Sequence, residues 1–180
     1  MQEKLKKIKF VITDVDGVLT DGLLHYDANG EAIKSFHVRD GLGVKMLMEQ
    51  GIQVAVLSGR SSPILQKRIQ DLGIKLAFLG KLEKESACLE LIRQAGVSAE
   101  ETAYIGDDSV DLPAFATCGL SFAVADAADY VKKHADYVLT LGGGKGAFRE
   151  MSDMILQAQG KSDIYTTAEG FLKSVKNMAQ

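Results

Sequence analysis

Polar side chains follow several short apolar runs of this sequence, at the points where the runs end. Asp14 and Asp16 come directly after the first run, and Asp107 follows a later one. Ser58 ends another run, and Lys84 comes shortly after the next. Because the carboxyl ends of parallel strands meet at one edge of an open α/β sheet, these residues should lie together. Carboxylates, a hydroxyl and an ammonium group in one place suit the transfer of a phosphoryl group.

Clustered carboxylates need a positive counter-charge. Two carboxylates ~4 Å apart repel each other by roughly 4 kcal/mol at an effective dielectric of about 20. That repulsion is a large part of the net stability of a domain. Carboxylate and carbonyl oxygens are the ligands that Mg²⁺ prefers, and Mg²⁺ commonly bridges to a substrate phosphate. The aspartates therefore predict a magnesium site.

A carboxylate can also attack phosphorus and form an aspartyl-phosphate. Asp14, directly at the strand end, is the candidate nucleophile. Asp16 lies further along the exit turn, within reach of the leaving oxygen, which suits a general acid and then a general base. Asp108 and Asp111 could bind the cation as well, but charge complementarity with a helix N-terminus accounts for at least one of them. We interpret Asp108 as a residue that supports the ligands without binding the ion.

Four segments, in the order "DVDGVLTDG", "LSGR", "KLEKES" and "GDDSVDLP", resemble the four motifs of the haloacid dehalogenase superfamily of phosphohydrolases. The resemblance implies that Asp14 is the nucleophile and Asp16 the acid and base. It implies that Ser58 and Lys84 hold the phosphate. It also implies that Mg²⁺ is bound by Asp14, by Asp107 and by the backbone carbonyl of Asp16.

Nearly the whole chain, including "FHVRDG" and "GGGKGAFREM", resembles the members of this superfamily that lack a cap domain and release a free sugar acid for lipopolysaccharide assembly. The implied substrate is 3-deoxy-D-manno-octulosonate 8-phosphate. Its carboxylate calls for planar, bidentate recognition by arginine, and Arg60 is the first candidate. The full set of predicted substrate contacts is Asp16, His37, Arg39, Asp40, Gly41, Arg60, Arg68 and Lys84.

Three alternatives stay open at this point. The substrate could be another sugar acid phosphate, with nine carbons. The chain could be a receiver-type signalling module that holds a phosphoryl group on an aspartate, although a receiver lacks a second aspartate at the place of Asp16. Lys81, close to Lys84 in sequence, could also reach the phosphate, and only the motif spacing favours Lys84.

The elements that position these residues alternate between apolar runs and amphipathic stretches. This alternation predicts an α/β fold, a Rossmann-like three-layer sandwich with a central parallel sheet. The predicted strands are 8–13, 53–57, 76–79, 102–105, 121–124 and 137–139. Between the first strand and the first helix, "DANG" predicts a β-hairpin insertion at about 18–37. Ser61 or Ser62 before Pro63, and Ser98 with Glu101, are predicted helix starts.

The predicted domain organisation is one phosphatase domain, residues 1–160, followed by a tail, residues 161–180. We expect the tail to fold over an active site, that of a partner subunit, because its apolar side chains are costly to leave in water. The resemblance implies a homotetramer in which the hairpins pack together. In such a tetramer a neighbouring subunit would shield the active site from bulk water, which a cap domain does in other members of the superfamily.

Composition excludes several other functions. The chain has 180 residues, 46% of them hydrophobic and 25% charged, with a formal net charge of −3. No basic stripe favours nucleic acid, and no apolar run approaches the ~20 residues that span a bilayer. We interpret the lysine-rich start as a solvated entry segment, and Cys88 and Cys118 as free thiols of a cytoplasmic protein.

Overall fold

The computed structural model describes residues 2–178, and it has a six-stranded parallel sheet at its centre. The strands of this sheet are β1 (Phe10–Thr13), β4 (Gln53–Ser58), β5 (Leu76–Leu79), β6 (Thr102–Gly106), β7 (Leu120–Ala123) and β8 (Tyr137–Val138). Their order across the sheet is β5-β4-β1-β6-β7-β8, and every neighbouring pair is parallel. Strands β4 and β5 lie on one side of β1, and β6, β7 and β8 lie on its other side. The strand order therefore changes direction next to β1, and a ligand crevice is expected beyond the carboxyl end of that strand.

Helices cover both faces of the sheet. They are α1 (Gln2–Lys7), α2 (Val38–Glu49), α3 (Pro63–Leu72), α4 (Lys84–Ala95), α5 (Leu112–Thr117), α6 (Asp129–Lys132), α7 (Ala147–Ala158), α8 (Asp163–Thr166) and α9 (Ala168–Met178). On one face α2 packs against α7 and α3, and on the other α4 packs against α5. The residues of β1 and β6 between these layers are all buried, as apolar runs in a doubly covered parallel sheet should be.

The predicted fold class is confirmed, and the strand ends differ by one or two residues. The first strand begins at Phe10 because Ile8 belongs to the turn after α1, where its N–H donates to the carbonyl of Leu5. Ser62 caps α3, with its hydroxyl accepting from the N–H of Leu65, as the sequence predicts. Ser98 and Glu101 pair as predicted too, but they bracket only a single 3₁₀ turn, Ala99–Glu101.

The lysines of the entry segment are exposed to solvent, as predicted, but the segment also forms a helix, which the sequence did not predict. Residues 2–7 form α1, whose lysines are exposed while Leu5 is buried. One apolar side chain is enough to dock this helix, since α1 packs on α7. A short helix with a single buried residue has almost no periodicity for sequence reasoning to detect.

The hairpin insertion is present but shorter than predicted. Its strands are β2 (His25–Asp27) and β3 (Gly30–Ile33), paired antiparallel. The preceding residues 15–20 form tight turns instead, with the N–H groups of Val18, Leu19 and Thr20 all directed at the carbonyl of Val15. Within residues 2–178, only this hairpin and α2 lie between β1 and β4, and only α3 lies between β4 and β5, so the described chain has no cap domain.

The C-terminal segment packs on its own chain. Tyr165 donates to the carbonyl of Asp153 at 3.0 Å, and Lys161 donates to the carbonyl of Gln50 at 3.0 Å. Gln50 ends α2 just before β4 begins, so this contact lies at the amino edge of the sheet. The last two residues of the predicted tail lie outside the described residues. A search of residues 2–178 finds no helix with the length and apolar character needed to cross a membrane.

Candidate active site

The carboxyl edge of the sheet collects the predicted catalytic residues. Asp14 directly follows β1, and its N–H still donates to the carbonyl of Ile105 in β6 at 3.1 Å. The central strand of the sheet thus fixes the backbone of the candidate nucleophile. Asp107 follows β6, Ser58 ends β4, and Lys84 begins α4.

Lys84 is the positive charge at the centre of the site. Its side chain is 0% exposed, and its Nζ lies 3.1 Å from Oδ1 of Asp14 and 2.6 Å from Oδ1 of Asp111. The hydroxyl of Tyr104 is a third partner, at 3.1 Å. A buried ammonium group is tolerated only where it is paired in this way. The exposed Lys81 has no place in this network, so the geometry favours Lys84 over Lys81.

The carboxyl groups around Lys84 are poorly compensated. Burial, and then the negative charge of Asp111, raise the pKa of Asp14 above its usual range. Burial, and then the charge of Asp14, raise the pKa of Asp107 to about 8. Carboxylate oxygens of Asp14, Asp107 and Asp111 all lie within 4.8 Å of one another. One lysine does not balance three such groups, and a hard divalent cation between them would.

Both carboxylate oxygens of Asp111 already accept hydrogen bonds, so Asp111 is less suited than Asp14 and Asp107 to bind a metal ion. Oδ1 accepts from Lys84 and from the hydroxyl of Tyr104 at 2.7 Å, and Oδ2 accepts from the N–H groups of Asp107 at 2.8 Å and Asp108 at 3.2 Å. Asp14 and Asp107 retain free oxygens, so they fit Mg²⁺ better. Asp111 instead holds Lys84 and the Asp107 backbone in place.

The sequence did not predict that Asp111 would pair with Lys84. The position of Asp111 depends on a 3₁₀ turn, Ser109–Asp111, which directs its side chain back toward the end of β6. The signal was its spacing of four residues after Asp107. Asp108 turns the other way: its Oδ1 accepts from Ser109 N–H and from the hydroxyl of Tyr130 at 2.9 Å. The structure therefore places Asp108 at the mouth of the cleft, outside the buried cluster.

Asp16 faces two cations at the mouth of the cleft. Its Oδ1 accepts from Nζ of Lys34, and its Oδ2 lies 4.0 Å from Nε of Arg60. Arg60 also donates from Nη2 to the hydroxyl of Tyr26 in the hairpin at 2.7 Å, while its Nε is buried without a hydrogen-bond partner. Sequence reasoning missed Lys34 completely.

The cleft between these residues is open to solvent. Its walls include Asp14, Asp16, Arg60, Leu82, Asp107 and Val110. Leu82 is 70% exposed on the rim, over Gly59. Ser58 lies below, fully buried, with its hydroxyl accepting from the N–H of Arg60 at 3.2 Å. None of the tail residues 161–178 lines the cleft.

The remaining predicted substrate contacts lie elsewhere on the chain. His37, Asp40, Gly41 and Arg68 line a separate depression, where the Arg68 guanidinium lies over the ring of Phe36 at 5.4 Å. Asp40 is buried and accepts from the N–H of Arg149. Arg39 is exposed in the first turn of α2. The structure thus brings Asp16 and Arg60 to the cleft wall, and it pairs the buried Lys84 with the wall residue Asp14. It does not bring these five to the cleft, and their contact with substrate stays a prediction.

Comparisons with known proteins agree with this geometry. Residues 80–142 match the family model of haloacid dehalogenase-like hydrolases. The chain is 79% identical, over the full length of both chains, to the 3-deoxy-D-manno-octulosonate 8-phosphate phosphatase of Haemophilus influenzae. The chain belongs to this phosphatase family.

Solved structures of the phosphatase family share the fold. The cobalt-bound Haemophilus influenzae enzyme superposes with a TM-score of 0.93 at 79% identity, covering 94% of this chain and 99% of that one. The Moraxella catarrhalis enzyme, in complex with a magnesium ion, a phosphate ion and a 3-deoxy-D-manno-octulosonate molecule, superposes with a TM-score of 0.88 at 38% identity, covering 91% and 94%.

Membership of the 3-deoxy-D-manno-octulosonate 8-phosphate phosphatase family confirms the predicted superfamily and the predicted enzyme class. The chain is a phosphatase, and its residues 2–178 contain no cap domain. The alternative of a receiver-type module is wrong. The sequence alone leaves that alternative open because a receiver domain and this phosphatase both carry a phosphate-accepting aspartate and a lysine at the edge of a similar sheet.

The raised carboxyl pKa values predict how Mg²⁺ changes stability with pH. A carboxyl group whose pKa is about 8 when folded and near 4 when unfolded destabilises the fold as pH rises between those values. Without a divalent ion, the melting temperature should therefore fall from about pH 5 to about pH 8.5. Saturating Mg²⁺ should remove the fall and raise Tm by roughly 5 °C or more at the upper pH.

Thermal melts in chelator and in Mg²⁺ at both pH values test this expectation. The Asp107→Asn variant is the comparison, because it lacks one of the two carboxyl groups with a raised pKa, so its Tm should fall less with pH and respond less to Mg²⁺ than that of the unchanged protein. An Mg²⁺ effect of equal size at both pH values would contradict the cation site.

Proposed function

We propose that this chain hydrolyses 3-deoxy-D-manno-octulosonate 8-phosphate to the free sugar acid and inorganic phosphate, with Mg²⁺ as cofactor, in lipopolysaccharide biosynthesis. The observation that carries the proposal is the buried pair of Asp14 and Lys84, with 3.1 Å between Oδ1 and Nζ, at the floor of an open cleft. In this pair the candidate nucleophile, Asp14, lies next to an ammonium group that can bind phosphate. The identity to relatives that are named for this substrate supports the choice of sugar acid.

In the first step a carboxylate oxygen of Asp14 attacks phosphorus. The bond from phosphorus to the sugar oxygen breaks, and Asp16 gives a proton to that oxygen as it leaves. In the second step Asp16 takes a proton from water, and the oxygen of that water attacks phosphorus. The aspartyl-phosphate bond breaks, inorganic phosphate leaves, and Asp14 is again a carboxylate.

Charge around the phosphoryl group is the main catalytic requirement. Mg²⁺, when held by Asp14, Asp107 and the backbone carbonyl of Asp16, supplies positive charge that stabilises the transferring phosphoryl oxygens. Lys84 supplies a second positive charge from the floor of the cleft. The hydroxyl of Ser58 would donate to a phosphate oxygen; it is buried beside the wall residue Gly59 and accepts from the N–H of Arg60.

Arg60 is the proposed partner of the substrate carboxylate. Its Nε is buried without a hydrogen-bond partner, 4.0 Å from Oδ2 of Asp16, so a substrate carboxylate that accepts from it would satisfy a donor that is otherwise costly to bury. The alternative substrate is a sugar acid phosphate with nine carbons. One extra carbon is worth about 1–3 kcal/mol of discrimination in a fitted site.

The deciding experiment is phosphate release from matched eight-carbon and nine-carbon sugar acid phosphates, with glucose 6-phosphate as a substrate that lacks the carboxylate. We expect kcat/KM to be at least about 10-fold higher for the eight-carbon compound. Faster turnover of the nine-carbon compound would replace the proposed substrate. Equal rates on glucose 6-phosphate would remove the role of Arg60.

We also propose that the chain is a cytoplasmic homotetramer in which hairpins pack together. Four apolar side chains support the oligomer, because Leu23, Leu24, Tyr26 and Ile33 of the hairpin region are between 46% and 61% exposed. A cluster of this kind is typical of an interaction surface. His37, Arg39, Asp40, Gly41 and Arg68 lie outside the cleft of their own chain, so they would contact substrate across a subunit interface.

Ile33→Glu tests the hairpin interface. A carboxylate buried between subunits is costly, so light scattering should report a single subunit in place of a tetramer. Leu89→Glu is the matched control, because Leu89 is similarly exposed, at 51%, but lies on α4 and not in the hairpin. A tetramer with Ile33→Glu, or dissociation with both variants, would contradict the proposed interface.

The tail is proposed to cover a partner's active site. Ending the chain after Gly160 should raise the apparent KM for the sugar acid phosphate, because the site loses part of its enclosure. Leu172→Ser is a milder test, since this side chain is 64% exposed in its own subunit and its loss should not disturb the fold. A KM unchanged in both variants would reject the role of the tail.

A further inference from the structure

Lys34 is a buried cation that the mechanism above does not use. It directly follows β3, and its side chain is only 1% exposed. A buried ammonium group loses its hydration, and the loss must be offset by close partners. Its Nζ donates to Oδ1 of Asp16 and lies 2.9 Å from Oε1 of Glu31, whose side chain is 8% exposed.

The contact between Lys34 and Asp16 is not needed to neutralise the charge of the lysine. Glu31 sits in the same hairpin strand and alone would balance the lysine. The second carboxylate partner is the proposed acid and base, on the loop after β1. An apolar side chain would fill this position at less cost in desolvation, so stability alone does not explain a lysine here.

The two oxygens of Asp16 have different surroundings. Oδ1 is taken by Lys34, whereas the nearest cation to Oδ2 is Nε of Arg60 at 4.0 Å, beyond hydrogen-bond distance. Asp16 also lines the cleft. With Oδ1 held, the free oxygen Oδ2 is the one available to exchange a proton with the leaving group.

We propose that Lys34 is a positioning residue for Asp16, holding Oδ1 so that Oδ2 delivers the proton to the leaving oxygen. The inference rests on the proposed role of Asp16. Lys34 itself transfers no proton. As the proton passes from Oδ2 to the sugar oxygen and the bond to phosphorus breaks, Asp16 regains a full negative charge that the lysine already faces. This fixed cation lowers the cost of the transition state without rearrangement.

Glu31 is the second carboxylate partner of Lys34, with 2.9 Å between Oε1 and Nζ. The three residues form a chain of alternating charge that runs from the hairpin to the cleft. Through it the hairpin influences a proton transfer that none of its own residues performs.

The test compares two leaving groups, because a general acid matters only where the leaving oxygen needs a proton. The sugar acid phosphate needs one, whereas p-nitrophenyl phosphate releases a stable phenolate. Lys34→Met should lower kcat/KM for the sugar acid phosphate by about 100-fold, the lower end of what general acid catalysis contributes. The loss with p-nitrophenyl phosphate should stay below about fivefold. Lys34→Arg, which retains a donor to Oδ1, should recover part of the loss.

Asp16→Asn and Lys6→Met are measured in parallel. Lys6 is exposed on α1 and serves as a control for the loss of one lysine. If Lys34→Met does not fold, the double variant Lys34→Met with Glu31→Gln replaces it, since this pair leaves no uncompensated charge in the hairpin. Thermal melts verify the fold of each variant.

The outcomes separate the two levels of the proposal. If Asp16→Asn lowers kcat/KM equally for both substrates, the proposed role of Asp16 is wrong. If Asp16→Asn shows the expected bias but Lys34→Met lowers both substrates equally, or neither, Lys34 has only a structural role. If Asp16→Asn and Lys34→Met both lower kcat/KM much more for the sugar acid phosphate than for p-nitrophenyl phosphate, and Lys34→Arg recovers part of the loss, the positioning role is supported.

Discussion

Asp14→Asn should abolish turnover of the sugar acid phosphate while making the protein more stable in the absence of Mg²⁺. Asparagine cannot form the acyl-phosphate, so kcat should fall by at least about 10⁴-fold, which corresponds to about 5.4 kcal/mol of lost transition-state stabilisation. The raised pKa of Asp14 shows that its ionised form is unfavourable in this buried cluster. Removing that charge should therefore raise Tm in chelator.

The opposite signs of the two effects make this a sharp test, because a misfolded variant would lose both activity and stability. Phosphate release and thermal melts are the measurements. Asp129→Asn is the matched control, since this side chain is 91% exposed and does not line the cleft. Residual activity within tenfold of the unchanged enzyme would exclude Asp14 as the nucleophile.

Lys84→Met should remove activity and stability together. The variant leaves Asp14 and Asp111 buried without their common cation, and breaking a buried ion pair in this way costs about 3–5 kcal/mol. Urea unfolding measures that loss. Turnover should fall at least about 10³-fold, because the transferring phosphoryl group loses its fixed positive partner.

A second variant separates the two roles of Lys84. Lys84→Met combined with Asp111→Asn removes one of the two uncompensated charges and should recover part of the stability, but none of the activity. Full recovery of turnover in the double variant would mean that Lys84 only balances Asp111. Unchanged stability in Lys84→Met alone would contradict the buried network.

The sequence predicts the sheet well, and it also predicts that the candidate catalytic residues meet at one edge of that sheet; the reason is local. Apolar runs such as that of β1 fit a strand that is buried on both faces, and the parallel arrangement then brings the strand ends together. Asp14, Ser58, Lys84 and Asp107 are each placed by their position within one or two residues of a strand or helix end. Such positions can be inferred without knowledge of packing.

Residues whose positions depend on long-range packing could not be predicted. Lys34 meets Asp16 only because the hairpin folds back over the loop after β1, and nothing in the sequence near Lys34 indicates a carboxylate partner. Asp111 turns inwards through a single 3₁₀ turn, and the sequence assigns it no specific role. The depression around Arg68 shows the same limitation, since sequence similarity gives no distance between Arg68 and the cleft.

The hydrogen bond from Asp14 N–H to Ile105 has a consequence for the lifetime of the site. Strand β1 is paired on both sides, so its amides should exchange with solvent only when the whole molecule opens, whereas the two-stranded hairpin can open alone. The candidate nucleophile thus follows a strand whose amides should open last, whereas Lys34, the proposed positioning residue, follows a hairpin that can open alone. Substitutions in the hairpin can therefore alter the positioning of Asp16 without disturbing the backbone that holds Asp14.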